Sequence, residues 1–355
     1  MSSIYLPLTG SSGGFSASLY ALLVICPAVL MYNYLSSIGA RPCAPSVELT
    51  TMPGVRVSKI LIHPLKSCRG ISVQHSRYTP EGLEYDRRWC IIEAKEKTVI
   101  TAREFPKMVL ITPKIEGDVL SISFPHGSGC EPFSLPLCPN QTILDRWERL
   151  EKIMMWHVPF DAYICEALPS PPSRSPSAVL SSYFGRPVHL VYKGAQPRAC
   201  DPTATHPKLE ANAVFQDCFP LMVLSEESTT RIEEELRGHV GTQGIDERWK
   251  TESLVIERFR PNVVFQGAGP FAEDSWEEIR IGSGPIISMV SKCTRCLLPN
   301  VSPDTGERDK AVPYKTLMKF RTGFDPQDKM KPCVGCNGVP SANGEIRVGD
   351  CVAAR

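Results

Sequence analysis

Apolar residues dominate the start of the chain, and no charged side chain occurs before Arg41. Residues 15–35 are mostly apolar, and this run is long enough to cross a hydrocarbon core as a helix. The pattern predicts a tail at 1–14, a transmembrane anchor at 15–35 and a proline-punctuated linker at 36–53. Because the first positive charges follow the anchor, we expect the folded part to stay in the cytosol. A secretory signal peptide and a buried helix are the alternatives.

From position 54 the pattern changes to short apolar runs that are separated by turn signals and lack helical periodicity. Gly117-Asp118 separates the 107–116 run from the 119–124 run, which predicts a hairpin. Closely spaced strands without intervening helices favour a β-barrel or sandwich, and a first domain is predicted at 54–185. The other predicted strands of this part lie at 55–62, 89–92, 98–101 and 108–111.

The second half of the chain mixes strands with a few helical patterns, and a second domain is predicted at 186–355. A proline-rich stretch at 170–177 indicates a disordered surface insertion, and a short helix at 178–184 follows it. A buried strand at 221–224 leads into a helix with Ser225 as N-cap and two glutamates in its first turn. Further strands are predicted at 188–192, 262–265, 278–281, 286–290 and 345–352. The expected fold class is therefore mixed α/β and rich in β-structure.

Length and composition narrow the possible functions. The 355 residues exceed what one core usually holds, which agrees with two domains. A formal net charge of +1 leaves no unbalanced basic stripe, so there is no electrostatic case for binding nucleic acid. The 14 cysteines are spread along a chain that can bury a core without disulfides, so we expect reduced thiols. Reduced thiols can bind a soft metal or react as thiolates.

Three motifs place polar and cationic side chains next to predicted strands. P-L-K-S-C-R-G (64–70) puts Lys66 and Ser67 in a loop after a strand, and Y-D-R-R-W (85–89) puts Arg87 at a strand entrance. R-F-R-P-N (258–262) holds Arg260 and Asn262 on either side of a rigid proline. The planar arginine suits a phosphate, and the amide suits the edge of a heterocycle. A solvated turn and a surface ion pair are the plain alternatives for the first two motifs.

Two cysteines follow the predicted 286–290 strand. Cys293 and Cys296 form a C-x-x-C pair, and Cys333 and Cys336 form a second one in C-V-G-C. Two such pairs normally indicate zinc, but the 36 residues between them exceed the usual spacing of a zinc ribbon. F-Q-D-C-F-P (215–220), ahead of the buried 221–224 strand, offers main-chain groups to a ligand or is an ordinary loop.

Five motifs in the same order resemble those of MOSC-domain proteins (molybdenum cofactor sulfurase C-terminal domain), and in particular the mitochondrial amidoxime-reducing component family. They are I-H-P-L-K-S-C-R-G, D-R-R-W, R-F-R-P-N, A-E-D-S-W, and C-T-R-C followed by V-S-P-D-T-G. The resemblance runs from residue 55 to the C-terminus. It implies an N-terminal β-barrel-like domain and a β-barrel MOSC domain, preceded by one transmembrane helix. The 170–177 insertion and the Cys333/Cys336 pair depart from the family pattern.

The resemblance also implies a molybdenum cofactor, whose pterin holds the metal through two sulfurs. Cys296 is the implied catalytic residue and the protein's thiolate ligand to the metal, which must keep a position open for oxygen. The phosphate and pterin of the cofactor are implied to bind cationic and polar side chains. The implied residues are Lys66, Ser67, Arg87, Arg260 and Asn262, with Asp217, Cys218, Phe219, Thr294 and Arg295 lining the cofactor.

The implied activity is the reduction of N-hydroxylated compounds such as amidoximes and hydroxylamines. Gly267-Ala268-Gly269 lacks the spacing of a dinucleotide site, so electrons must come from outside. The family implies NADH, a b5 reductase and a b5-type cytochrome as the source. It also implies the mitochondrial outer membrane, with the endoplasmic reticulum as the alternative. A molybdenum-cofactor carrier or sulfur-transfer protein and a zinc-stabilised membrane scaffold stay open as other functions.

Overall fold

The structure, a computed structural model, describes residues 48–168 and 174–355. The predicted tail at 1–14, the anchor at 15–35 and the linker up to residue 47 lie outside these ranges. Within the described ranges, no helix has the length and apolar character needed to cross a bilayer. The end of the predicted linker is part of the first strand, which begins at Thr50.

Short strands dominate the described chain, and its helices are few and mostly short. The strands are β1 Thr50–Ile62, β2 Ile71–Val73, β3 His75–Thr79, β4 Gly82–Leu83, β5 Trp89–Glu93, β6 Thr112–Glu116, β7 Val119–Ser123, β8 Phe133–Pro136, β9 Arg149–Met155, β10 Val158–Ile164, β11 Val188–Lys193, β12 Arg198–Ala199, β13 Asn212–Ala213, β14 Leu221–Ser225, β15 Val263–Gln266, β16 Glu278–Ile281, β17 Ile287–Thr294, β18 Cys333–Pro340, β19 Gly344–Arg347 and β20 Cys351–Ala354. The α-helices are α1 Gln141–Leu144, α2 Pro176–Phe184, α3 Glu226–Arg237 and α4 Tyr314–Phe320, with 3-10 turns at Pro106–Leu110, Glu247–Lys250, Ile256–Phe259, Ala272–Ser275 and Leu298–Asn300.

Seven strands close into a barrel in the order β15-β14-β18-β17-β16-β20-β1. The barrel closes where β1 pairs antiparallel with β15, with Val57 opposite Phe265 and Ile60 opposite Val263. Strands β14 and β15 run parallel, which requires a crossover, and α3 lies in that connection. The first strand of the described chain is therefore paired with strands more than 200 residues later, and the barrel cannot close without it.

Strand β14 is buried on both faces, which explains its unbroken apolar run. Val223 points into the barrel core with Val263 and Phe265, whereas Leu224 packs outside the barrel against α3. The outer layer includes Ile232 and Leu236 of that helix, at the predicted i, i+4 spacing.

Residues between β5 and β11 form two open antiparallel sheets, β5-β11-β10-β9 and β6-β7-β8. Alternate residues of β5 pack into two different hydrophobic cores. Trp89 and Ile91 lie in one core, and Cys90 and Ile92 lie in the other. The closed barrel thus contains β1 from the range predicted as the first domain, together with strands from the second. The remaining strands pair as β19-β3-β4 and β12-β13.

Several predicted elements are confirmed. The 117–118 turn joins β6 to β7, α2 contains the predicted 178–184 helix, and α3 follows Ser225 with Glu226 and Glu227 in its first turn. The capping mechanism at Ser225 is different from the prediction, because its hydroxyl contacts the Gly269 carbonyl and Glu227 and makes no cap hydrogen bond.

Other predicted elements are wrong. Residues 108–110 belong to the 3-10 turn Pro106–Leu110, and Ile111 follows it, because Pro106 sets a helical φ at its start and has no N–H to donate to a strand. Residues 98–101 make only isolated bridges. The tail at 345–352 splits into β19 and β20, since Gly349 turns the chain with a φ of 95°. Pro176 and Ser177, predicted as part of the disordered insertion, begin α2, and residues 169–173 lie outside the described ranges.

Candidate functional site

All eleven residues that the sequence predicted for the site line one open cavity. They come from five separate stretches of the chain, which the barrel closure and the loops before β14 and after β17 bring together. The eleven are Lys66, Ser67, Arg87, Asp217, Cys218, Phe219, Arg260, Asn262, Thr294, Arg295 and Cys296. Their grouping supports the prediction of one site, and their individual roles stay predictions.

Three of these residues have a backbone conformation that non-glycine residues seldom adopt. The φ angles are 67° at Ser67, 50° at Arg87 and 57° at Arg260, all in the left-handed region. Each such residue costs on the order of 1–3 kcal/mol, and strain of this kind concentrates at functional sites. The three strained residues all border the cavity, so the strain coincides with the predicted site.

A buried carboxylate holds one arginine of the cavity wall in place. Asp86 is fully buried, forms an ion pair with Arg87 and accepts the backbone N–H of His63 at 2.7 Å. Burial would raise the pKa of Asp86, but Arg87 and His63 together hold it well below its usual range. Burial, Arg260 and Arg87 lower the pKa of His63 to about 3, so its imidazole is neutral. Asp86 therefore compensates the charge of Arg87.

The second arginine of this wall has no such carboxylate. Arg260 donates from Nη1 to the Cys68 carbonyl at 2.7 Å, and its Nη2 is buried without a hydrogen-bond partner among the described residues. Burial, and then the neighbouring charge of Arg87, lower the pKa of Arg260 to about 10. A buried guanidinium with a free donor is stabilised by an anion, and its planar fork suits a phosphate.

Lys66 supplies a third cation at the cavity. Its ammonium donates to the Phe215 carbonyl at 2.8 Å and forms an ion pair with Asp217, which lies 3.7 Å from Arg103. Burial lowers the pKa of Lys66, and Asp217 partly offsets this. Counting Arg295 as well, four cations surround the cavity against the carboxylates Asp86 and Asp217, an excess of two positive charges. This excess fits an anionic group such as the cofactor phosphate.

The two cysteines after β17 differ in their surroundings. Cys293 is still within the strand, and its sulfur accepts a hydrogen bond from Arg295 Nη1 at 2.9 Å. Burial raises the pKa of Cys293, and Arg295 opposes this rise. Cys296 is half-buried beyond the strand end, and its sulfur accepts only the backbone N–H of Leu298, at 3.5 Å. The Cys296 sulfur is the less engaged of the two, as a metal ligand requires.

Comparison with known proteins finds matches over most of the chain. Residues 54–170 match the MOSC N-terminal beta barrel domain, and residues 210–353 match the MOSC domain. The chain is 31% identical to "Mitochondrial amidoxime-reducing component 1" of Mus musculus over 83% of this chain and 80% of that protein. It is 28% identical to the Homo sapiens protein of the same name over 83% of this chain and 81% of that protein. The chain belongs to the amidoxime-reducing component family of MOSC-domain proteins.

The departure from the family pattern at Cys333 and Cys336 has a structural explanation. Both cysteines lie inside β18 and are fully buried, and the Cys336 thiol donates to the Glu273 carbonyl at 3.1 Å. In the described ranges no three side chains of His, Cys, Asp or Glu are grouped to hold a metal, so the four-cysteine zinc interpretation is wrong. Gly335 between them is required by packing, because a Cβ there would lie 2.6 Å from the Val223 carbonyl oxygen.

Asn262 and Arg295, which the family motifs assign to cofactor binding, mainly make hydrogen bonds within the wall of the cavity. The Asn262 amide oxygen accepts the Met222 N–H at 3.1 Å, and its nitrogen donates to the Leu61 carbonyl at 3.3 Å. These bonds join β1 to β14 and leave one N–H of the amide for the predicted heterocycle contact. Arg295 donates from Nη2 to the Phe259 carbonyl at 2.8 Å. In both residues most of the polar capacity is used within the protein.

The sequence analysis missed polar residues that shape the same cavity. Gln216 accepts the Val214 N–H at 2.7 Å and donates to the Glu81 carbonyl at 3.1 Å, which fixes the loop that carries Asp217. Arg198 donates to the carbonyls of Val214 and Gln216 and holds the same loop from below the surface. Gln216 lies inside the F-Q-D-C-F-P motif and was within reach of the sequence analysis, whereas no local pattern singles out Arg198.

Proposed function

We propose that this protein reduces N-hydroxylated compounds, with molybdenum held by a pterin cofactor. For an amidoxime the reaction consumes two electrons and two protons, breaks the N–O bond and yields the amidine and water. The observation that carries the proposal is the placement of the accessible Cys296 sulfur on a cavity with two excess positive charges. A thiolate ligand and an anion-binding wall are the two features that this cofactor needs from a protein.

Different residues of the cavity would bind different parts of the cofactor. Arg260, Arg87 and Lys66 would bind the anionic phosphate. Arg260 has a free buried donor for it, whereas Lys66 would share its charge between the phosphate and Asp217. Cys296 would ligate the metal. Bound there, the cofactor would supply a two-electron redox centre for reduction of the substrate. The protein contributes orientation, charge compensation and a partly dry cavity.

Electrons would come from NADH through a b5 reductase and a b5-type cytochrome. Gly267-Ala268-Gly269 forms a turn after β15, in which Gly267 approaches the Gly54 carbonyl, and no α-helix begins there. A dinucleotide site needs the glycines to lead into a helix. Placement at the mitochondrial outer membrane through residues 15–35 belongs to the same proposal, with the endoplasmic reticulum as the alternative. The names of the relatives support the mitochondrion. Anchoring donor and acceptor on one membrane would raise their effective concentrations.

The decisive experiment compares two cysteine variants of the full chain, purified in detergent. Molybdenum and pterin are quantified, and benzamidoxime reduction is measured with NADH, a b5 reductase and a b5-type cytochrome. Cys296→Ser should abolish the reduction, whereas Cys293→Ser should keep most of it because that sulfur is engaged by Arg295. The reverse result would assign the metal to Cys293. Wild-type protein with molybdenum and pterin but no reduction would favour a cofactor carrier, and protein without pterin would contradict the proposal.

A further inference from the structure

A second cavity lies outside the first and shares part of its wall. Thr294, Arg295, Cys296 and the 217–219 loop border both cavities, so the outer cleft leads to the sulfur proposed as metal ligand. The outer cleft is lined on its far side by Trp156, which comes from the β9–β10 hairpin. None of the family motifs includes this tryptophan. Trp156 and Cys296 therefore border the same cleft.

Trp156 has an unusual backbone conformation. Trp156 and His157 form the two-residue turn between Met155 and Val158, with φ angles of 51° and 75°. Such turns favour glycine or asparagine, so a tryptophan here is strained. The chain has five tryptophans, all within the described ranges; Trp156 is 44% exposed, and the other four are at most 6% exposed.

The indole ring is linked to the inner cavity through charged side chains. The Arg103 guanidinium lies 4.2 Å from the ring centroid, and Arg103 pairs with Asp217, which in turn pairs with Lys66. Stacking of Arg103 stabilises one position of the ring and covers one of its faces. The exposed part of the ring is left for a ligand in the cleft.

We propose that Trp156 is the specificity-determining wall of the substrate site and that it selects flat, uncharged aryl N-hydroxy compounds. The aryl group would stack on the indole, with the N–OH group directed toward Cys296. Five cationic and four carboxylate side chains line the outer cleft, so it does not favour a strongly charged substrate of either sign. An amidoxime is uncharged near neutral pH and has a planar polar end. This inference rests on the proposed reductase function.

The test uses the full-length holoenzyme and two substrates, aryl benzamidoxime and alkyl acetamidoxime. Aromatic stacking contributes up to about tenfold in affinity, so Trp156→Ala should raise the KM for benzamidoxime by about 3- to 10-fold and leave kcat within about twofold. The KM for acetamidoxime should hardly change, and Trp156→Phe should recover most of the loss. Met154→Ala, an exposed substitution in β9 two residues before Trp156 and outside both cavities, is the matched control.

Tryptophan fluorescence separates this inference from the function on which it rests. Acrylamide should quench Trp156 selectively, and benzamidoxime should protect it, whether or not the bound compound is reduced. Equal KM changes for the aryl and alkyl substrates, or no protection from acrylamide, would overturn the role of Trp156 while reduction by the wild type stands. Protection without any reduction would leave the binding site intact and refute the reductase proposal instead. Molybdenum content and melting temperature equal to wild type exclude a folding defect in the variants.

Discussion

Replacing Asp86 by asparagine tests whether this carboxylate compensates the charge of Arg87 in the wall of the cavity. The Asp86 side chain is fully buried, Arg87 is 12% exposed, and asparagine keeps an acceptor for the His63 N–H. Breaking one partner of a buried ion pair costs about 3–5 kcal/mol, and the lower end applies because Arg87 borders an open cavity. For a unit of roughly 300 residues, ~3 kcal/mol corresponds to a melting temperature lower by about 5 °C.

The loss of unfolding free energy in Asp86→Asn should depend on pH, and its direction follows from the lowered pKa of Asp86. Although burial opposes it, the charge of Arg87 lowers the pKa of Asp86 in the folded state. Such a carboxylate stabilises the fold above its unfolded pKa of about 3.9, and this contribution is lost as the pH falls toward the folded pKa. The difference in unfolding free energy between wild type and Asp86→Asn should therefore be constant down to about pH 5 and shrink below about pH 4.

Urea denaturation of the cofactor-free protein between about pH 3 and pH 8 measures both effects. Asp118→Asn is the matched control, because Asp118 is exposed in the β6–β7 turn and should change the unfolding free energy by less than about 0.5 kcal/mol. The reasoning is refuted if Asp86→Asn is as stable as this control, or if its deficit is as large at about pH 3 as at pH 7.

Two further predictions concern the buried surroundings of the site. Gly335→Ala should destabilise the protein by about 2–5 kcal/mol, since the added Cβ would meet Met222 and Val223 at 2.6 Å. The control Gly349→Ala has a φ of 95° and nothing within 4 Å of its Cβ, so it should cost only about 1–2 kcal/mol. Equal losses of unfolding free energy in the two variants would disprove the packing argument. Burial raises the pKa of Glu273 to about 7, so the contribution of Glu273 to the unfolding free energy should fall as the pH rises from about 4.5 to about 7. Relative to wild type, Glu273→Gln should therefore gain up to about 3 kcal/mol between pH 5 and pH 8. If the difference in unfolding free energy between Glu273→Gln and wild type does not change with pH, Glu273 is charged over the whole pH range.

The sequence analysis correctly predicted elements whose structure depends on residues close together in the chain. Gly117-Asp118 specifies its hairpin by turn chemistry, and α3 follows from an apolar stripe with glutamates in its first turn. The failure at 108–111 has a local cause too, because Pro106 outweighed the apolar run that followed it. The failure at 345–352 arises because Ile346 and Val352 face buried positions in two different sheets, which one apolar run does not distinguish.

The predicted site depended on motifs, and motifs identify residue types without their environment. C-T-R-C named both cysteines, but only the structure shows that Arg295 engages Cys293 and leaves Cys296 with a backbone N–H. R-F-R-P-N named Asn262, whose amide proves to join β1 and β14. The second cysteine pair suggested zinc because spacing alone does not show that Cys336 is buried within a strand.

The sequence alone determined which side chains were available: strand-forming runs, cations next to turns, a C-x-x-C pair and the resemblance carried by five motifs. The tertiary structure decided which of them meet. Pairing of β1 with β15 brings Lys66 and Arg87 to Arg260, and the turn between β9 and β10 places Trp156 over the cleft. The physical reason is that strand register and barrel closure set the direction of every side chain, and both are fixed by contacts between residues far apart in the chain.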